Sequence, residues 1–169
     1  GLLLAATIAF YIFVYTIWLK RRTPQNIVIG GASGALPPVI GWAAVTGDIS
    51  FGSIVLFAII FMWTPPHFWA LSLYLSGDYE KAGVPMMPVV SGETETKRQI
   101  LIYTLLLVPI TVIPAFIGIV SHLGGGFILL LGLLFIWHAF QVRSGRKPEA
   151  PRAMFRYSIL YLFLIFVIL

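Results

Sequence analysis

FMWTPPHFWALSLYLSGDYEKAGVPMMPVV, residues 61–90, sets the problem. Its first half is apolar enough for a membrane helix, yet it contains Pro65, Pro66 and His67. Its second half passes Asp78 and Tyr79 and enters a Gly83-Val84-Pro85 turn. Proline inside a helix removes a backbone donor, and polar side chains in lipid are costly. Two prolines, a histidine and an acid in and beside a spanning segment therefore ask for a functional reason.

The surrounding chain is apolar throughout. Of 169 residues, 59% are hydrophobic and 10% charged, and the mean hydropathy is +0.96. Six runs approach or exceed the roughly 20 residues that cross a bilayer core. They are Leu2–Leu19, Ile27–Val45, Phe51–Leu75, Ile100–Ser121, Gly126–Val142 and Met154–Leu169. Barrel strands would be about 10 residues long and alternating, which these are not. The expected fold is all-α, a polytopic membrane helix bundle with six transmembrane helices in a single domain, 1–169. With no initiator Met, no n-region and an apolar run at the last residue, the chain is expected to be truncated at both ends. Cysteine is absent, which excludes disulfides, thiolate metal sites and cysteine nucleophiles.

The net charge of +5 has a simple distribution. Residues 20–26, 76–99 and 141–156 hold all 11 Lys and Arg residues, while the turns GDIS and HLGGG hold none. Six crossings put the three basic connectors on one side, and the positive-inside rule makes that side cytoplasmic. Topology thus accounts for the charge without nucleic acid. The connector 76–99 also carries the apolar residues Val84, Met86, Met87, Val89 and Val90. It is expected to pack down on the bundle as a short helix or lid.

Pro37-Pro38 and Pro65-Pro66 lie on successive segments. Each pair is expected to kink its helix, either for packing alone or to open a cavity between the two. Gly30, Gly31, Gly34 and Gly41 suit close helix contact, and Gly30-x-x-x-Gly34 is a small-xxx-small pattern. His67 either bonds a carbonyl freed by the prolines or contacts a polar substrate or a haem iron. Asp78 follows it by eleven residues, which on a continuous helix is the same face about 16 Å away. Lys20, Arg21, Arg22, Lys81, Lys97 and Arg98 share that side of the membrane. An acid among bases suits Mg²⁺ bound to a polyphosphate, although one carboxylate is too few and Asp48, Glu80, Glu93, Glu95 and Glu149 form no evident pair with it. Phe61, Trp63, Phe68 and Trp69 either pack against lipid and protein or line an apolar pocket.

Two stretches carry a specific resemblance: YTIWLKRRTPQNIVIGGASGALPPVIGW (15–42) and WTPPHFWALSLYLSGDYEKAGVPMMPVV (63–90). They cover about a third of the chain. They closely resemble the protohaem IX farnesyltransferases, in their bacterial form, which belong to the UbiA-type intramembrane prenyltransferases. The resemblance implies a nine-helix bundle of which this chain is the last six helices. It implies an enzyme that transfers a farnesyl group from farnesyl diphosphate to a vinyl group of haem B. Water adds, diphosphate leaves, and the haem O formed serves terminal oxidases, directly or through haem A synthase. The implied setting is the bacterial inner membrane.

By the same resemblance, Asp78 is the acid of the second Asp-containing motif, where Mg²⁺ and diphosphate are expected. Lys20, Arg21 and Asn26 match the basic helix end, and Lys97 the basic position after the lid, with Tyr79, Lys81 and Arg98 beside them. His67 matches a histidine near the pocket and is expected to act in catalysis, in haem contact or proton handling; Trp63 and Phe68 are expected to bind substrate as part of the aromatic lining. Two departures stand out. The first Asp-rich motif would lie on earlier helices, so this stretch alone is expected to be inactive. Ala82 stands where many members of the superfamily have a second acid. Competing readings are prenylation of an aromatic quinone precursor, a b-type haem-binding subunit using His67 and His138, and a transporter.

Overall fold

Lipid offers no partner to a free backbone N–H or C=O, so an apolar chain crossing it must pair these groups within each segment. The computed structural model, which describes residues 1–19, 22–23, 25–77 and 85–169, meets this demand with helices alone among the described residues. Six are long and apolar enough to cross a membrane. The chain is a multi-pass helical membrane protein.

Helix α1 is Leu2–Leu19. From Phe10 it winds more widely, and the Thr16 hydroxyl donates to the Tyr11 carbonyl five residues back at 2.9 Å. The second span contains two helices, α2 (Asn26–Ala35) and α3 (Pro37–Thr46). The break falls where Pro37 takes the first helical position, which needs no N–H. Helix α4 (Phe51–Tyr74) starts on Ser50, whose side chain accepts from the Ser53 N–H at 3.3 Å. Helix α5 is Met87–Phe116, α6 is His122–Ser144 and α7 is Ala150–Ile168.

Several expectations change here. The two proline pairs behave differently. Pro37-Pro38 divides its span, whereas Pro65 and Pro66 are buried inside one uninterrupted 24-residue helix. The fourth span starts at Met87, well before Ile100, with one non-helical residue at Gly92 (φ 79°). Met86, Met87 and Pro88 are buried, so this half of the connector does pack down on the bundle. The turn expected at HLGGG lies earlier, at 117–121, and Ser121 caps α6 by accepting from the Gly124 N–H at 3.2 Å. Gly124 and Gly125 are helical for a packing reason. A Cβ on Gly125 would come 2.5 Å from the Ala115 Cβ, so this turn of α6 sits directly on the end of α5.

Helix α4 occupies the centre, packed against α2, α3, α5 and α7, and α6 closes the far side against α5 and α7. Ile59, Trp69, Ile100, Leu107, Ile128, Phe135, Met154 and Ile165 fill the core among these helices. Hydrophobicity cannot favour that core over lipid, so close packing and polar links hold it together. Tyr161 on α7 meets the Thr111 hydroxyl of α5 at 3.1 Å, and the Tyr157 hydroxyl donates to the Leu131 carbonyl of α6 at 2.7 Å.

Gly132 lets α6 lie on Val108 of α5, where a Cβ would come within 2.7 Å of a methyl carbon. Gly132→Val should therefore cost about 1–3 kcal/mol. Its thermal midpoint in detergent should fall by several degrees, while Gly126→Ala, in open space, should stay near the parent.

Candidate functional site

Ile60, Trp63, Thr64 and Phe68 fall on one face of α4, at the three- and four-residue spacing of a helix. They face Ile27, Gly30, Gly31, Ser33 and Gly34 of α2 and Tyr11 and Tyr15 of α1 across a cavity of about 270 Å³. Glycine sets these approaches. A Cβ on Gly30 would collide with the Tyr15 ring, and one on Gly31 would lie 3.0 Å from the Thr64 methyl. Two of the wall hydroxyls are already bonded to their own helices: Thr64 donates to the Ile60 carbonyl at 2.8 Å and Ser33 to the Gly30 carbonyl at 2.7 Å. The cavity thus presents aromatic and apolar surface.

A second cavity of about 350 Å³ continues the seam, lined by Leu3, Ala6 and Phe10 of α1, Ala32 and Leu36 of α2, and Phe57 of α4. Ser33 lines both. Together they run along the α1–α2–α4 junction, and their combined volume falls within the range of about 300–1,000 Å³ typical of ligand pockets.

His67 lies one ring behind this wall. Its ring stacks on Trp63 (centroids 4.2 Å apart, 19° between planes) and on Phe155 of α7 (4.8 Å, 27°), and Phe68 meets it edge-on at 5.1 Å. Its Nδ1 is 2.7 Å from the Ser158 hydroxyl of α7. That hydroxyl donates its single hydrogen to the Phe155 carbonyl at 2.6 Å. The hydrogen of the His67 bond therefore belongs to Nδ1, and Ser158 Oγ accepts it. The Ser158 carbonyl accepts a second bond, from the Trp63 indole N–H at 2.8 Å.

The four aromatics expected on the wall separate into two pairs. Trp63 and Phe68 line the cavity, whereas Phe61 stacks on Phe57 at 5.6 Å and Trp69 is buried edge-on against Tyr103. His138 does not join His67; it stacks on Tyr157 at 4.7 Å. Asn26 is buried at the start of α2, next to Ile27 on the cavity wall. Lys97 bonds Glu93 at 2.7 Å and Arg98 lies 3.4 Å from Glu95, both pairs following helical spacing. Lys97 lines a separate polar cleft of about 270 Å³ with Leu73, Glu93 and Lys147. The continuous helix that would carry His67 and Asp78 on one face ends at Tyr74. Lys20, Arg21, Asp78, Tyr79 and Lys81 lie outside the described residues. Among the described residues no three His, Asp or Glu side chains gather, so these residues do not by themselves fit a Mg²⁺ site. Sequence reasoning missed Ser158, Phe155 and the α1 face of the cavity; the relation of α7 to α4 leaves no local signal.

The sequence pattern of the UbiA prenyltransferase family matches residues 1–166. The chain belongs to that family. It is 63% identical, over 99% of its length, to a protein of Parvibaculum lavamentivorans named protoheme IX farnesyltransferase, and covers 54% of that protein. A protein of Acidiphilium cryptum with the same name is 56% identical over 97% of the chain, which covers 55% of it. Protoheme IX farnesyltransferase 2 of Mesorhizobium japonicum is 60% identical, with 97% and 54% covered. The chain spans about half the length of these relatives. No solved structure matches it.

The seam between α1, α2 and α4 is then a candidate isoprenoid groove. Gly34 lines it, and a Cβ there meets nothing within 4 Å. Gly34→Leu should fill the groove without collision. Its thermal midpoint should stay within about 2 °C of the parent, a stability change under roughly 0.5 kcal/mol. Binding of a farnesyl-chain ligand, followed by isothermal titration, should weaken at least severalfold.

Proposed function

We propose that this chain is part of an enzyme that transfers a farnesyl group from farnesyl diphosphate to a vinyl group of haem B, giving haem O and diphosphate. The observation that carries the reading is the apolar seam walled by Trp63 and Phe68 in a chain of the prenyltransferase family. The names borne by the relatives at 63%, 60% and 56% identity support haem as the acceptor. The alternatives have less behind them. The b-type haem subunit wanted His67 and His138 together, but each ring packs on a different partner.

The chemistry follows from charge. Breaking the allylic C–O bond leaves both electrons on diphosphate and a cation on the farnesyl chain. The vinyl π pair of haem B forms the new C–C bond, and the cation left beside the porphyrin is captured by water, which then loses a proton. The farnesyl cation needs a water-poor, electron-rich wall, which Trp63 and Phe68 offer in the seam. The leaving diphosphate needs positive charge. Lys20, Arg21, Asn26, Lys81, Lys97 and Arg98 are the side chains assigned to it, with Tyr79 beside them. Asp78 is assigned to Mg²⁺, which would neutralise the diphosphate there. Charge placement supports an orientation in the bacterial inner membrane with residues 20–26, 76–99 and 141–156 in the cytoplasm. Haem A synthase or a terminal oxidase is the proposed recipient of the product.

The test is product formation by the full-length protein in detergent with haem B, farnesyl diphosphate and Mg²⁺, read by chromatography and mass spectrometry. Haem O should form, and Asp78→Ala or chelator should lower the rate at least about 100-fold, the scale of losing a charge-stabilising group. Turnover of an aromatic acid without haem O would replace the acceptor. Tightly held, unaltered haem would replace the reaction.

A further inference from the structure

His67 is the polar residue that stands out in the sequence of α4, yet its ring does not line the groove; Trp63 does. Everything that fixes Trp63 converges on one residue of another helix. The Ser158 carbonyl accepts the Trp63 indole N–H at 2.8 Å, while the Ser158 hydroxyl accepts the His67 Nδ1–H at 2.7 Å. The hydroxyl can only accept because its hydrogen is committed to the Phe155 carbonyl at 2.6 Å. His67 is thereby held in plane between Phe155 and Trp63, backing the indole at 4.2 Å. Ser158 is fully buried and His67 is 8% exposed, so water does not compete for these bonds.

We propose that Ser158 is a positioning residue for prenyl transfer: acting through His67, it holds the Trp63 ring as the groove wall that faces the allylic cation. His67 is on this account a second positioning residue, acting through Trp63. The inference rests on the proposed function and adds to it which residues set the cation-facing surface. A ring stabilises a cation only when its face, not its edge, points at the charge. An indole held at its N–H alone could swing about that bond, and the stack on His67 removes the swing. The benefit appears when the cation forms, so disturbing the stack should act on kcat more than on KM.

The test uses the full-length protein in detergent with haem B, farnesyl diphosphate and Mg²⁺. Four readings are taken: kcat, KM for farnesyl diphosphate, haem affinity by absorbance titration, and the ¹⁵N signals of the histidine rings, with His67 assigned by its loss in His67→Phe. The parent should show a hydrogen on His67 Nδ1. Ser158→Ala should shift His67 toward the other tautomer and lower kcat about tenfold, with KM and haem affinity within about twofold, the pattern of a contribution made only in the transition state. Replacing tryptophan by analogues carrying one, two and three fluorines should lower kcat stepwise in the parent, less in Ser158→Ala, and not at all in Trp63→Phe.

A His67 Nδ1 without hydrogen in the parent would overturn the proposal. So would a kcat for Ser158→Ala within twofold of the parent, or a flat fluorine series. Loss of haem affinity in Ser158→Ala or His67→Phe would make His67 a haem contact and sink the positioning role. If Ser158→Ala does not fold, His67→Phe and the fluorine series in the parent decide. Failure of the parent to make haem O would instead sink the proposed acceptor. The Nδ1 signal, and the fluorine series run with whichever acceptor is consumed, would still judge Ser158.

Discussion

The bond cluster at Ser158 is the constraint on which the rest of the arrangement depends. Helix α4 carries two adjacent prolines and so lacks two backbone donors in its own ladder. A helix weakened in this way and surrounded by lipid gains no hydrophobic preference for protein over lipid. It is held instead by specific polar links: Trp63 and His67 bond Ser158 on α7. On the same helix, Tyr157 reaches α6 and Tyr161 reaches α5. Helix α7 is the polar tie of the bundle. A neutral hydrogen bond nets about 1 kcal/mol, so the set is modest in energy. Its value is directional: it fixes which face of α4 meets α7 and leaves the adjoining face to α2.

That division of faces explains why some aromatics of the WTPPHFWAL run are wall and others are core. Successive helical residues point about 100° apart. Ile60, Trp63, Thr64 and Phe68 share the α2 side, whereas Trp69, one residue further, turns into the packed interior beside Tyr103. On the α2 side the neighbour is a glycine-rich helix, and Gly31 brings its backbone against Thr64. Small residues on α2 and large ones on α4 leave a seam instead of an interdigitated core. The seam is apolar because Ser33 and Thr64 bond carbonyls of their own helices.

Much of the fold was legible in the sequence, and the reason is physical. Lipid leaves an apolar 20-residue run one structure, so the spans could be placed to within a turn in most cases. The misplacements fall where glycine and proline act through packing. HLGGG looks like a turn by composition, but Gly124 and Gly125 are helical because Val120, Ala115 and Ile168 crowd them. Pro65-Pro66 sits within a continuous helix, whereas Pro37-Pro38 divides its span. For the site, Trp63 and Phe68 were readable from a motif and its resemblance. Ser158 was not: it is an ordinary serine in YSILYLFL, and only the packing of α7 on α4 gives it its two bonds to Trp63 and His67.

On the proposed function, the two ends of the site, one for the prenyl chain and one for the diphosphate, differ in kind. The prenyl end is defined by shape and aromatic surface, properties of helices packed in a fixed register. The diphosphate end is defined by charge, and charge on a cytoplasmic connector also serves topology, so a basic residue there has two possible reasons to exist. Lys97 illustrates the overlap. It already has Glu93 as a partner at 2.7 Å and lines a cleft with Lys147, away from the Trp63 wall. Its ammonium has three donors and Glu93 takes one, so it can reach an anion beside that carboxylate or in exchange for it. Because both pairs are solvent-exposed ion pairs worth roughly 0–1 kcal/mol, that exchange is cheap. Lys97 can therefore be bound to Glu93 in the empty protein and still serve a diphosphate. Trp63, fixed by one bond to Ser158 and a stack on His67, has no such freedom: in the proposed reaction the rigid end would face the cation and the adjustable end would receive the leaving group.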